Sequence, residues 1–410
     1  MSPTPQETVL SYAEAAECVR RHAEKLRNRA RAIEQAPLLA AAGRVLAQPI
    51  AADRDQPPFP RATRDGFACR AAEVTAGTLR VAGQLRAGER WTKGMLASGD
   101  AVEIMTGAAV PPGADCVAMM EDVQVSGFLV RHTGGKALAP GENIVDAGME
   151  ARAGSILAPE GRRMTVPQIA AAAACGYATV AVFARPRVAI LATGDELVDV
   201  SDEPLPHQIR NSNSYSLAAQ TLAAGGAPRL FPVVPDDTAA TEDALAEAAR
   251  MDLVVLTGGV SKGKFDVVEQ ALLRRGAEFF FTGTRIQPGK PVVFGQLPEG
   301  YFFGLPGNPL STMVTFALFV APLLRALGGE SEAGPRFATA RLEEEIHVKQ
   351  GLTRFLPARL ESDVKGARVR PVAWHGSGDL AAAARANGFA VTPETAERVA
   401  AGEMVSVLLL

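Results

Sequence analysis

The order of apolar and polar positions divides the chain into stretches of different texture. Residues 8–36 set Val9, Ala13, Ala16 and Val19 at helical spacing among Ala, Glu, Arg and Leu, which predicts one or two amino-terminal helices. Ser11 stands three residues before Glu14, the spacing of a capping box. From about 55 to 150 the chain breaks into short alternating segments, "TLRVAG", "DAVEIMTGAAV" and "DCVAMMEDVQV", between Gly and Pro turns, the pattern of a compact β-rich domain. Helical texture returns at 151–185 in "TVPQIAAAAACGYATV", with Pro167 near its start and Gly176 near its end. The flanking helical pieces therefore read as one discontinuous domain, 1–54 plus 149–185, with 55–148 inserted into it.

Between 186 and about 330, buried-type strands ("RVAILATGDEL", "RLFPVVPDD", "DLVVLTGG", "YFFGLPGNP") alternate with helical segments, the βαβ rhythm of a doubly wound parallel sheet. From 335 to 410 short alternating strands end on "EMVSVLLL", which suits a small barrel. The expected fold class is multidomain α/β: a central doubly wound α/β domain, a β-rich insert, a helical discontinuous domain and a C-terminal small β-barrel.

At 410 residues, two to four hydrophobic cores are expected. A net charge of -3 with 21% charged residues offers no excess of positive charge for nucleic acid or an anionic membrane, so neither partner is implied. Cys18, Cys69, Cys116 and Cys175 lie far apart with no CxxC pair, which reads as reduced, packed thiols. The amino-terminal stretch has no apolar core after its first charges, and the apolar stretches near 166–184 and 313–325 are broken or short for a span. A soluble cytoplasmic protein is expected.

Open parallel sheets bind ligands beyond the carboxyl ends of their strands. Three loops sit at such ends: "ATGDEL" (192–197), "LTGGVSKGKFD" (256–266) and "GLPGNPLS" (304–311). In the second, Gly258, Gly259 and Gly263 let backbone N–H groups approach an anion and Ser261 adds a hydroxyl donor, so a phosphate-bearing ligand is the natural occupant. The loop matches neither GxxxxGK[ST] nor a strand-coupled GxGxxG, and a Gly-Gly after a strand also serves as a plain tight turn. Glu196, Asp236, Asp237 and Asp266 fall at expected strand ends. Carboxylates beside a phosphate hold a bridging divalent cation, inferred as magnesium, or position water. Asp195, Asp236 or Asp237 also fits as a helix cap. Lys290, between glycine and proline in "QPGKP", is suited to meet the anion as a point charge, and the prolines of "GLPGNPLS" make a rigid rim from which Asn308 projects.

Together these loops resemble the molybdenum-insertion enzymes of molybdenum cofactor synthesis, the family of the bacterial MoeA proteins and the gephyrin E domain. The resemblance runs through "RATRDGFAC" (61–69), "IMTGAAVPPGADCVAMMED" (104–122), "PGENI" (140–144), "ILATGDEL" (190–197), "TGGVSKGKFD" (257–266), "QPGKP" (287–291), "GLPGNP" (304–309) and "GSGDL" (376–380). It implies an elongated homodimer of four-domain subunits, joined through the discontinuous domain, with a molybdopterin-binding central domain. The implied reaction converts adenylyl-molybdopterin and molybdate to molybdenum cofactor, AMP and water with magnesium, and contact with the molybdopterin adenylyltransferase is an implied partnership. By motif, Asp65 and Thr106 match positions needed for activity, reaching the partner's cleft. Glu196, Asp237 and Asp266 match the acidic set, Asp237 and Asp266 as tentative magnesium ligands. Lys290 matches the PGK lysine, Pro306 and Pro309 the rigid loop, and Ser377 the carboxy-terminal GSG; Lys290, Ser311 and Ser377 suit molybdate.

The chain departs from the family pattern in three places. Gln287 replaces a frequent lysine, Met149 and Glu150 stand for a common acidic pair, and Leu352 occupies a frequent arginine position, with Arg354 and Arg359 as the compensating cations. Two other readings share the fold: the adenylylating step itself, which predicts activity with ATP, and a non-catalytic scaffold, against which the retained acidic set argues.

Overall fold

The computed structural model describes residues 7–258 and 265–410, the side chains of Phe265 and Asp266 excepted. Its central sheet contains β1 (Arg187–Ala192), β2 (Ala227–Leu230), β3 (Leu253–Thr257), β4 (Glu278–Phe281), β5 (Val293–Gln296) and β6 (Tyr301–Leu305) in the order β2-β1-β3-β6-β5-β4. The first four in that order are parallel, whereas β5 pairs antiparallel with both β6 and β4, so the expected parallel sheet is mixed. The reason is local: β5 connects to β6 through a short turn closed by Leu297 N–H donating to Gly300 O at 2.7 Å, and a parallel crossover needs a dozen or more residues.

Every residue of β3 and β6 is buried, as continuous apolar runs require of strands covered on both faces. Alternate side chains sort to the two sides. Val188, Ile190, Leu253, Val255 and Phe303 pack with α1 (Ser212–Ala223) and α4 (Pro309–Leu327). Ala189, Leu191, Val254, Leu256 and Phe302 pack with α2 (Thr238–Ala248) and α3 (Phe265–Arg274). Helix α4 is longer than the apolar stretch 313–325 suggested. By length and composition it is able to cross a membrane, yet 94% of its apolar window is buried in the protein, which makes it a core helix.

At the amino terminus the capping box forms, with Glu14 N–H donating to Ser11 Oγ at 3.2 Å and Ser11 N–H donating to Glu14 Oε2 at 2.8 Å. The helix Tyr12–Lys25 buries Ala15, Cys18, Val19 and Ala23 in the central core, and strand Val9–Leu10 pairs in parallel with Gly283–Thr284. This helix thus packs with the central layer, where the discontinuous domain was expected to hold it. No second helix follows before strand Ile33–Pro37.

His22 on this helix stacks on Phe280 at 4.0 Å, and its Nδ1 lies 3.3 Å from Tyr301 Oη. Burial, reinforced by Lys25 and Arg21, lowers its pKa to about 4. The unfolded chain takes up this proton near pH 6.5, whereas the folded chain does so only at the lower value, so stability is full above pH 6.5 and declines as pH falls through the folded pKa. Thermal melts across that window are expected to show the decline, and His22→Gln to flatten it.

Ile33–Pro37 pairs with Thr179–Phe183, and Ile50–Ala51 with Ile156–Ala158, so the segments on either side of the insert meet. Helix Val166–Ala174 packs there with Leu46, Ile50 and Met164, and this lobe carries strands as well as the expected helix. Arg163 ties it to the central layer: its guanidinium contacts Glu330 at 2.5 Å and donates to Gly43 O at 2.8 Å and Ala224 O at 3.1 Å. The insert forms a six-stranded sheet, from Cys116–Met119 at one edge to Val123–Ser126 at the other. Near the carboxyl end Phe337–Leu342, Thr353–Asp363, Gly366–Pro371, Gly388–Thr392 and Met404–Leu409 close into a barrel through the pairing of the second with the fourth. All four cysteines are free and buried.

Candidate active site

Registers across the parallel strands align Ala192 of β1, Thr257 of β3 and Leu305 of β6, so the turns that follow them leave from one edge. Thr193 N–H donates to Thr257 O at 3.0 Å, and Thr257 Oγ1 donates to Pro306 O at 3.1 Å, binding the three turns together. Gly258 has φ +86°, and a Cβ there would lie 2.3 Å from Thr193 O; only glycine fits. Gly259, Ser261 and Gly263 lie outside the described residues. Asp266 belongs to the first turn of α3, and its side chain is likewise outside the description.

The acidic residues gather beside this edge. An isolated bridge between Thr193 and Val234 brings the turns after β1 and β2 together, and Asp195 Oδ1 accepts from Asp236 N–H at 3.1 Å. Glu196 folds back over Gly194. Asp237 caps α2, its Oδ1 accepting from Ala240 N–H at 2.9 Å, so the capping alternative applies to this residue and one carboxylate oxygen is committed. Among the described residues no group of three or more His, Cys, Asp or Glu side chains is close enough to hold a metal ion alone.

The proline loop leads directly into α4, with Asn308 at its N-cap position and Pro309 in its first turn. Thr312 Oγ1 donates back to Pro306 O at 2.5 Å and Asn308 O at 3.0 Å, fixing the loop. Ser311 is buried, and Leu310 N–H donates to Ser377 O at 3.0 Å, so the carboxy-terminal GSG turn docks where α4 starts. The PGK turn rests on the same helix: a Cβ on Gly289, at φ +117°, would meet Thr315 Cγ2 at 2.5 Å, and Thr315 Oγ1 donates to Ser311 O at 2.7 Å. Lys290 is exposed beyond that turn, while its carbonyl accepts from Thr284 N–H at 2.9 Å. Of the two arginines offered as compensation for Leu352, Arg354 reaches Gln287 Oε1 at 2.9 Å, whereas Arg359 pairs with Glu361 at 3.0 Å.

Asp65 and Thr106 meet in the β-rich lobe. Asp65 Oδ1 accepts from the Thr106 hydroxyl and N–H, both at 2.7 Å, and these bonds hold its carboxyl below the usual carboxylate range. Both residues are exposed, and the bonds that join them are made within that lobe. Sequence reasoning left Asn213 unassigned, although it stands in the first turn of α1: its Nδ2 donates to Thr257 Oγ1 at 3.1 Å and Gly307 O at 2.7 Å. The asparagines of "NSNS" after a strand were the available signal. A cavity of about 680 Å³ lies elsewhere, between the amino-terminal helix, α4 and the segment after it, lined by Tyr12, Arg20, Phe183, Leu318 and Pro335.

Fold and rim together define an α/β layer with three turns at one edge, carrying accessory lobes. The MoeA N-terminal region (domain I and II) family model matches residues 10–176, the probable molybdopterin binding domain 189–326, and the MoeA C-terminal region (domain IV) 339–410. Molybdopterin molybdenumtransferase of Nostoc sp. is 36% identical over 388 residues, covering 91% of this chain and 88% of that protein. The protein of that name from Bacillus subtilis is 33% identical, with 90% and 87% covered. A crystal structure of the molybdopterin biosynthesis MoeA protein from Pyrococcus horikoshii OT3 superposes with a TM-score of 0.78 at 29% identity, covering 98% of this chain and all of that one. The chain belongs to the MoeA family.

Proposed function

We propose that this protein is a transferase of molybdenum cofactor biosynthesis that inserts molybdenum from molybdate into adenylyl-molybdopterin, releasing AMP. The observation that carries this reading is the convergence of three turns, those after β1, β3 and β6, on one edge beside α4. The helix start and backbone N–H groups of that edge suit the substrate's phosphates. Lys290, Ser311 and Ser377, each on a segment built against α4, receive molybdate, the lysine as a point charge and the serines as donors.

Glu196, Asp237 and Asp266 form the acidic side. Magnesium is held characteristically by one or two carboxylates completed with substrate phosphate oxygens, a mode that these residues fit without a three-carboxylate cage. Asp237 and Asp266 would hold it, and bound there it neutralises charge developing at the adenylyl phosphate. The carboxylates themselves orient the water or hydroxyl at that phosphate.

The working unit is a cytoplasmic homodimer, and the adenylyltransferase that makes the substrate is a transient partner. Exposed Ile33, Leu39, Ile156 and Val166 on the discontinuous lobe supply an apolar surface of the kind subunit contacts cover. Asp65 and Thr106 act on the cleft of the other subunit.

Purified protein given adenylyl-molybdopterin, magnesium and molybdate is expected to release AMP and form active cofactor. AMP formation only from ATP favours the adenylylating reading instead. Mixing inactive Asp65→Ala with inactive Lys290→Ala tests the shared cleft. Random reassortment makes half the dimers mixed, each with one intact site, so about a quarter of wild-type activity returns. No recovery means that both residues serve the same subunit.

A further inference from the structure

Asn213 does something that a packing residue in the first turn of a helix does not. Its two amide protons go to different turns: one to Thr257 Oγ1, at the end of β3, and one to Gly307 O, in the loop after β6. A carbonyl only accepts, so the contact with Gly307 O fixes which end of the carboxamide is nitrogen. Thr257, 1% exposed, receives that proton and passes its own to Pro306 O, so the direction of the whole relay is determined.

The remaining atom is the informative one. Among the described residues, Asn213 Oδ1 is buried without a hydrogen-bond partner, as is Thr193 Oγ1, which belongs to the turn after β1. Thr193 is bonded to Thr257 through its main chain and Asn213 through its amide, so both residues adjoin the same strand end. An unsatisfied buried oxygen is costly, and an apolar residue of similar size avoids that cost while filling the space. Such an oxygen is open to a ligand or a water at the rim.

We infer that Asn213 is a positioning residue that latches the strand end before Gly258 to the proline loop, holding the spacing between the substrate's phosphate and the start of α4. This rests on the reading of the rim as the adenylyl-molybdopterin site. Asn213 touches the two turns and acts through them on whatever they hold. Thr257 is its partner in the latch, and the pair work as one unit.

The experiment combines two readouts on Asn213→Ala, Thr257→Val and the double variant. Thr257→Val is isosteric and removes only the hydroxyl, so it keeps the test open should Asn213→Ala fold poorly. Amide exchange reads the latch without turnover: the Leu310 and Thr312 N–H groups, which the proline loop holds on Ser377 O and Asn308 O, exchange faster in each single variant, and no faster again in the double. AMP-release kinetics read the consequence: each single loses about tenfold in kcat/KM, the worth of one such hydrogen bond, with the double no worse than the weaker single. Thr257→Ser, which keeps the hydroxyl, restores both readouts. Unchanged exchange overturns the latch, whereas faster exchange with unaltered kcat/KM, or losses that add in the double, overturns the positioning role. If wild-type protein releases no AMP, the functional reading fails and the kinetic arm with it, while the exchange arm still decides whether the latch exists.

Discussion

Gly258→Ala is expected to leave the protein folded and to lower AMP release on the order of a hundredfold, the loss that follows when reacting groups are displaced by about an ångström. A non-glycine residue at φ +86° costs roughly 1–2 kcal/mol in backbone strain. The larger effect is steric. The new methyl would stand 2.3 Å from Thr193 O, which is main chain in the neighbouring turn and moves only by pulling β1 away from β3. Single-turnover assays are expected to show the loss in the chemical step as well as in binding, because the same displacement reaches Thr257 and through it Pro306. Wild-type rates in this variant would mean that the rim does not carry the substrate.

The largest stability change is expected from Glu330→Gln. Glu330 and Arg163 have side chains only 8% and 16% exposed, and the arginine also holds Gly43 O and Ala224 O. Removing the negative partner leaves a buried guanidinium uncompensated, a loss of about 3–5 kcal/mol. Urea denaturation should show it as a lower midpoint. Replacing both residues together, Arg163→Met with Glu330→Leu, is expected to be milder than the single change, since the buried Arg163 guanidinium goes with its partner, and what cost is left falls on Arg336 and Arg325, which also face Glu330. A single variant as stable as the parent would show that water reaches the pair.

The central layer was legible because uninterrupted runs such as Leu253–Thr257 have one stable use, a strand covered on both faces, and the turns after such strands are confined to one edge. Periodicity does not carry direction, so a parallel sheet was expected throughout, whereas the short 297–300 turn leaves no room for a crossover and makes β5 antiparallel to β6. It also does not say what a helix packs against. The set Val9, Ala13, Ala16 and Val19 announces a helix, but the face it buries is Ala15, Cys18, Val19 and Ala23, and its partner, α4, lies about three hundred residues further on. Among the site residues, glycines, prolines and carboxylates at strand ends stood out by type and place. Asn213 did not, because its role depends on Thr257 and Gly307 arriving from distant segments, and Asp237 showed the reverse case, a carboxylate whose visible duty is to a helix end.

The pairing of Val9–Leu10 with Gly283–Thr284, and of the helix behind it with α4, has a consequence during synthesis. An element made early finds its place late, since its berth at Gly283–Thr284 is translated long after it. Until then a sticky stripe stays wet, open to holdase chaperones and to neighbouring nascent chains. A shortened version beginning at residue 186 never acquires that cover, and its bare α4 is expected to drive it into inclusion bodies.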